Sequence, residues 1–559
     1  MEKDAQDKGR VEKGAIEKGA QEAPEIGALA KPPIGAEEQR APVGDASAKI
    51  GLSQKEIAER GLLWAGPEPE RTSSPNGRGL WPSPDPQDLA AVQAASLEIL
   101  ATIGFRILEP EAVELFKAAG AEAKGQIVYL PSDMVCALLD LAPESFSLRA
   151  RNPEKSLTIG DGTLRLAAGY GCAAVSEPGK PRRPSTIADY ARLAKLIQAE
   201  PLMDLCGGIL AQPTEIKSEM ASPAMAYAAI LASDKPLMLM PAEPRSYGDL
   251  LSLAAIPYGG LRELAEAPST IALISVSSPL TLDRPSCRTL VSAAVNGQAM
   301  VISPGPMAGS TGPATLAGNL AQANAECLAA ICLAQLVRPG SPVIYGVTAT
   351  SCDLRTGSVS IGGPEYALQA LFAKELAKLN GLPCRCGGAV TDADSLSAQS
   401  GWESAFQLMA SMASGVDLII HSAGIVGSFG AVSFEKLICD FELISITKRF
   451  LEGVKVTEET LAMDVIKSVG PGGLYLNHRH TLQNARKEPW YPKVGQRGRV
   501  PEDQNFDEII IESARDQERR LLSSYSPPPV KEAEKLDQRM LELGAAPELL
   551  AEIKGYLGL

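Results

Sequence analysis

At 559 residues the chain exceeds one ordinary domain, and its 45% apolar and 21% charged residues are those of a globular protein with a sizeable core. A net charge of −14 gives no broad electropositive footprint, which argues against nucleic-acid binding or adsorption to an anionic membrane and suits a cationic ligand. A charged opening (MEKDAQDKGR), no run of the ~20 apolar residues a membrane span needs, and cysteines scattered through apolar segments predict free thiols in a cytoplasmic protein.

Residues 1–87 are Glu-, Lys-, Gly- and Ala-rich, then Pro-rich (PEPERTSSPNG), a composition that buries too little to order itself. This extension is expected to be mostly disordered, with a short helix over Ser53–Ala65, and could serve as a docking arm. Over 88–160 the segment EILATIGFRILEPEAVELFKAAGAE has helical apolar spacing around a Gly-containing break, and another helix is predicted over Pro131–Leu141, giving a helical cap. A β-like, Gly-rich stretch, Leu164–Val175, comes next, and Thr186 with Asp189 forms a helix start signal.

From there short apolar strands recur at Leu205–Leu210, Pro236–Met240, Ile271–Val276, Ala299–Ser303, Pro342–Gly346, Pro383–Cys386 and Val416–His421, separated by amphipathic helices. The alternation predicts an α/β fold, a (β/α)8 TIM-type barrel over 161–500, its eighth strand either near Leu164 or between Leu443 and Leu474. Residues 501–559 carry helical stretches around a Ser-Pro-Pro-Pro break, a C-terminal helical extension that either wraps the barrel or mediates oligomerisation. A homo-oligomer is expected.

Such barrels carry their chemistry at the C-terminal ends of the strands, which converts the strand pattern into a set of candidate residues. The Gly/Pro/Ser loop from Ser303 opens a helix and offers free N–H groups, yet has neither the Walker nor the dinucleotide spacing. His421 ends the seventh strand and is a candidate catalytic group, with Glu326 and Asp392 as acidic partners. Asp353, Glu365 and Ser303 are candidate substrate contacts. Aromatic residues are only 5% of the chain, so Tyr170 in AGYG and Phe429 in VGSFG stand out as rings to face a quaternary ammonium, or as plugs over the barrel mouth. Cys384, Cys386 and His421 form the best zinc constellation, and His478 with His480 a weaker pair; the metal-free reading is preferred.

Several segments resemble the trimethylamine methyltransferase superfamily: EILATIGFRILEPEAVELFKAAGAE, RRPSTIADYARLAKL, SPGPMAGSTGPATLAGNLAQANAE, AQLVRPGSPVIYG, GGPEYAL, the GG-x-x-TDA segment at Gly387–Ala393 and DVIKSVGPGGLYLNHRHT. They run in consistent order across roughly residues 90–492. The resemblance implies a barrel that holds a methylated amine while a separate corrinoid protein presents Co(I), the methyl passing in line to cobalt, with no cofactor bound permanently. Founding members carry pyrrolysine; here the corresponding region reads Ala389-Val390, which implies a quaternary amine such as a betaine rather than trimethylamine. A non-catalytic quaternary-amine-binding barrel and a zinc-dependent methyltransferase are the alternatives. The N- and C-terminal extensions, and Ser275–Ser278 in place of a more Asn/Pro-like strand end, depart from the family pattern.

Overall fold

The computed structural model describes residues 84–241, 246–499 and 505–559. The composition-based expectations for residues 1–83, the helix at Ser53–Ala65 among them, lie outside the described residues. Among the described residues eight parallel strands alternate with eight helices. The strands are β1 (Arg165–Leu166), β2 (Cys206–Gly207), β3 (Leu237–Leu239), β4 (Thr270–Val276), β5 (Ala299–Pro304), β6 (Val343–Tyr345), β7 (Arg385–Cys386) and β8 (Leu418–Ile419). The helices that follow them in turn are α1 (Ile187–Ala199), α2 (Ser218–Ala232), α3 (Tyr247–Ala255), α4 (Arg284–Val295), α5 (Leu316–Val337), α6 (Pro364–Leu379), α7 (Ala398–Ser414) and α8 (Phe434–Leu451).

Pairing closes the ring. β2 to β6 form one parallel sheet, β7, β8 and β1 another, and the bridges Tyr345↔Cys384 and Ala167↔Leu205 join them at both seams. The eighth strand is the one at Arg165–Leu166, while Leu443 to Leu474 supplies part of α8 and two short helices after it. Strands buried on both faces read as short apolar runs, which is why seven were visible in the sequence, whereas Arg165–Leu166 begins on a charged residue inside a Gly-rich stretch and was one of two options for the eighth.

Side chains alternate between lumen and helix layer. Leu205, Met238, Ile271, Leu273, Ala299, Val301, Ile344 and Leu418 fill the lower lumen together with Leu148, Leu157 and Ile159 from the hairpin Phe146–Leu148/Leu157–Ile159. That hairpin sits at the strands' N-terminal ends, where Arg149 N donates to Pro268 O (2.7 Å) just ahead of β4.

The cap is mixed rather than purely helical. Helices Pro86–Glu98, Pro110–Ala118 and Ser132–Leu139 pack on α5, and Phe105–Ile107 is a strand in a small sheet that also takes Thr281–Leu282 from the β4–α4 connection. Among the described residues α5 alone is long and apolar enough to cross a membrane, but 89% of its most apolar window is buried inside the protein. Covered by barrel on one side and cap on the other, it is apolar all round.

The C-terminal helices α9 (Phe506–Ser524), α10 (Ala533–Glu542) and α11 (Pro547–Leu557) wrap the barrel, packing on α8, α1, α2 and α3. Arg192 Nε pairs with Glu518 Oε1 at 2.6 Å and the Tyr227 hydroxyl donates to Asp537 Oδ1 at 2.6 Å. Of the two roles open from sequence, wrapping is the one this arrangement displays.

Candidate functional site

Above Leu273 the lumen changes character. Ser275, the next inward position on β4, is exposed although its strand neighbours are buried, so the upper lumen opens to solvent. Facing it is Arg385, inward on β7 and only 1% exposed. Its Nη1 donates to Ser303 Oγ (3.4 Å) and to the Thr348 hydroxyl, and its Nη2 donates to His421 Nδ1 at 2.9 Å. Its Nε has no partner, and no described carboxylate pairs with it. Burial pulls the guanidinium below its ordinary pKa, yet arginine remains a cation. A buried cation without a counter-charge is a costly arrangement.

His421 is neutral for two physical reasons. Burial first, and then the adjacent Arg385 cation, bring its pKa down to about 3. Because Nδ1 accepts from Arg385, the ring proton is assigned to Nε2, which donates to Tyr170 O at 3.1 Å. Both nitrogens are therefore occupied, and His421 acts as a positioning residue that locks Arg385 to the β1 loop.

The backbone here is unusual. His421, Ser428 and Phe429 all have positive φ (65°, 52° and 70°), a region L-residues avoid and that clusters at functional sites. The turn they form lays the Phe429 ring on the His421 ring, centroids 4.8 Å apart. Tyr170 enters the lumen from the β1 loop over Gly208, where a Cβ would stand 2.5 Å from its ring. The Tyr170 hydroxyl is buried without a partner. Tyr366, from α6, occupies the space a side chain on Gly387 would take, and its hydroxyl too lacks a partner.

The acidic candidates take other positions. Glu326 is fully buried and accepts from Leu280 N (2.8 Å), Ser278 Oγ (2.7 Å) and Gln322 Nε2 (2.9 Å), so it clasps the β4–α4 loop. Burial raises its pKa and those donors oppose the rise. Asp392 accepts from Ser360 Oγ, Ile361 N, Gly362 N and Ser428 Oγ, the last at 2.7 Å, which ties the Phe429 turn to the loop before α6. Glu365 stands in the first turn of α6, where a carboxylate complements the helix N-terminus. Asp353 lies on an outer hairpin, forked to Arg355 at 3.0 Å. The structure brings Ser303, His421, Tyr170 and Phe429 together in the upper lumen and none of these four carboxylates with them. Spacing alone cannot distinguish a carboxylate aimed at a ligand from one accepting backbone N–H groups.

Cys384 and Cys386 face the helix layer, the Cys386 thiol donating to Ala370 O of α6, while His421 faces the lumen. Among the described residues no group of three or more His, Cys, Asp or Glu is arranged to hold a metal. His478 Nδ1 accepts from His480 N at 3.1 Å and caps a short helix.

Two features escaped the sequence reading. Arg385 was hidden by its flanking cysteines in PCRCGG, although a charged residue inside an apolar barrel strand was a signal. The second is a buried pair behind the rim: Lys436 Nζ and Asp440, 2.6 Å apart, reach Ala389 O and Gly424 N, bracing the loops after β7 and β8.

The chain matches the family described as trimethylamine methyltransferase (MTTB) over residues 80–540, which takes in most of the C-terminal extension expected to depart from the family pattern. It is 38% identical over 433 residues to a glycine betaine methyltransferase of Desulfitobacterium hafniense (strain Y51), covering 78% of this chain and 90% of the relative. It is also 28% identical to the trimethylamine methyltransferase MttB of D. hafniense (strain DSM 10664 / DCB-2), over 80% of this chain and 90% of that one. A proline betaine:corrinoid methyltransferase of Eubacterium limosum is likewise 28% identical, over 80% of this chain and 94% of the relative.

Proposed function

We propose, for a chain that belongs to the trimethylamine methyltransferase (MTTB) family, that its methyl donor is a carboxylate-bearing quaternary amine, a betaine, and that Arg385 receives the carboxylate. The protein is an enzyme that moves a methyl group from a quaternary amine to a corrinoid protein. The observation that carries the choice of donor is the buried Arg385 guanidinium with an unpartnered Nε and no described carboxylate beside it. A carboxylate entering the upper lumen supplies the missing charge through short, charge-assisted hydrogen bonds. Trimethylamine, protonated in water, would bring a second cation and leave Arg385 unpaired.

With the carboxylate at Arg385, the ammonium group lies toward Tyr170 and Phe429, whose rings attract it through their quadrupoles. No general acid is needed at the nitrogen, since a quaternary amine leaves as a neutral tertiary amine. The corrinoid of the partner protein supplies the cobalt nucleophile. This chain's residues hold the donor, fix its N–CH3 direction and exclude water from the lower lumen. The loops at Ser303–Gly312, Gly387–Gly388 and Gly427–Gly430 are rich in glycine and serine, with Met307 and Phe429 their large side chains, which fits the approach of a large planar ring to the mouth.

Calorimetric titration tests the reading. Glycine betaine is expected to bind the wild type, and tetramethylammonium, the same head without a carboxylate, to bind far more weakly; Arg385→Met should erase the difference. Equal affinity for both ligands in the wild type would overturn it.

A further inference from the structure

Between α8 and α9 the chain leaves the barrel and returns. It departs after Leu451 and is recaptured where Trp490 Nε1 donates to Ser445 Oγ (2.9 Å) and Glu442 accepts from Val494 N and Gly495 N (2.6 and 2.7 Å). The excursion, residues 452–489, contains three short helices, Glu458–Leu461, Met463–Val469 and Arg479–Asn484, and none has a buried residue. Its apolar side chains face out: Val454 is 82% exposed, Leu482 74%, and Val456, Leu474 and Leu476 are close behind. Phe450, at the end of α8, extends the same surface.

Helices this short are not stable alone in water, and packing normally orders them. An apolar stretch of this size on one chain marks an interface. We infer that residues 452–489 form an arm that packs against a second copy of this chain. The direction of the fold selects that occupant over the corrinoid protein. Barrel helices run from the mouth down to the closed end, so α8 delivers the arm at the end opposite Arg385. Lys448, three residues before Leu451, indeed acts on Asp204, which precedes β2 at the closed end. A carrier that delivers cobalt must reach the mouth.

Lifetime points the same way. A carrier that docks and departs in each turnover leaves its surface bare for part of the cycle, whereas apolar surface of this kind is typical of permanent, obligate contacts. A standard interface uses about 20–30 residues a side, a number the arm can supply alone. Two copies related by a twofold axis would bury both arms at once. This choice between occupants rests on the methyl-transfer reading; the assembly itself does not, and the two are tested by different readouts.

Sedimentation velocity of the full chain decides it. The wild type at micromolar concentration is expected at no less than twice the 58.8 kDa chain mass. Leu476→Glu with Leu482→Glu should sediment as a single chain, with betaine affinity unchanged within twofold. A wild type at single-chain mass, or a double variant with unaltered assembly, would overturn the arm. Should the variant fail to fold, hydrogen exchange of the wild type answers the same question. Arm amides protected at high concentration and exposed on dilution support the second copy. Protection absent at every concentration, or gained only when corrinoid protein is added, overturns it.

Discussion

The lower and upper halves of one lumen are built on opposite principles. Below, Leu205, Ile271, Ala299 and Leu418 pack against the hairpin residues Leu148, Leu157 and Ile159, and the charged Arg165, in register with Leu418, has its partners, donating to Thr158 O of the hairpin and to Asp161 Oδ2. Above, a guanidinium stands without a counter-charge, an imidazole is held neutral, and three non-glycine residues take positive φ. The lower half is arranged for stability. The upper half retains groups that lower stability in the free protein, which makes sense if a ligand completes them, and this division matches the rule that barrel function sits at the C-terminal ends of the strands.

Substitutions in the two halves should separate stability from function. Arg385→Met is expected to lose roughly 2–5 kcal/mol of transition-state stabilisation with a betaine, about 30-fold or more in kcat/KM, because a buried charge pair loses a partner. The same change should leave the free protein's unfolding free energy unchanged or raised, by as much as about 1–4 kcal/mol, since it removes an uncompensated charge. Ile271→Ala in the lower half should do the reverse, costing about 2–5 kcal/mol of stability in chemical denaturation while KM stays put. If Arg385→Met destabilises the free protein as Ile271→Ala does, the contrast between the halves fails.

Smaller effects probe the aromatic side of the upper lumen. Tyr170→Ala and Phe429→Ala should each weaken betaine binding by about 0.5–2 kcal/mol, read by titration calorimetry. Unchanged affinity in both would remove the two rings from the ammonium site.

The pH dependence of stability gives the finest discrimination. His421 has a folded pKa of about 3, below the ~6.5 of an unfolded histidine. Between those values the unfolded chain binds a proton that the folded chain refuses, so this group's contribution to stability is intact above about pH 6.5 and is lost as pH falls toward 3. His421→Gln should flatten that part of the profile in urea melts at successive pH values. An unchanged slope would place the imidazole in a more solvated setting than the one described.

Much of the barrel was legible because strands buried on both faces are short apolar runs with helices between them, and all seven predicted strands overlap observed ones. The eighth has two ladder residues, Arg165 and Leu166, and its identity depends on pairing with β8 and on the bridge to Leu205, contacts that no local pattern records. In the candidate site, the four residues that the structure brings together, His421, Tyr170, Phe429 and Ser303, had been singled out from strand ends and glycine-bracketed loops. Arg385 was not, because whether an inward charge finds a partner depends on strands β5, β6 and β8, distant in sequence. Glu326 and Asp392 looked like ligand groups for the same reason: the backbone N–H groups that occupy them belong to other loops.

The central claim is that this barrel presents a betaine, held by Arg385, to the cobalt of a corrinoid protein. The direct measurement is the absorbance of the reduced corrinoid protein mixed with enzyme and one donor at a time: glycine betaine, choline or trimethylamine. The account predicts conversion to the methylated corrinoid with glycine betaine, little or none with the two donors that lack a carboxylate, and loss of the betaine reaction in Arg385→Met. Conversion by choline or trimethylamine as fast as by glycine betaine, or full betaine activity in Arg385→Met, would contradict it.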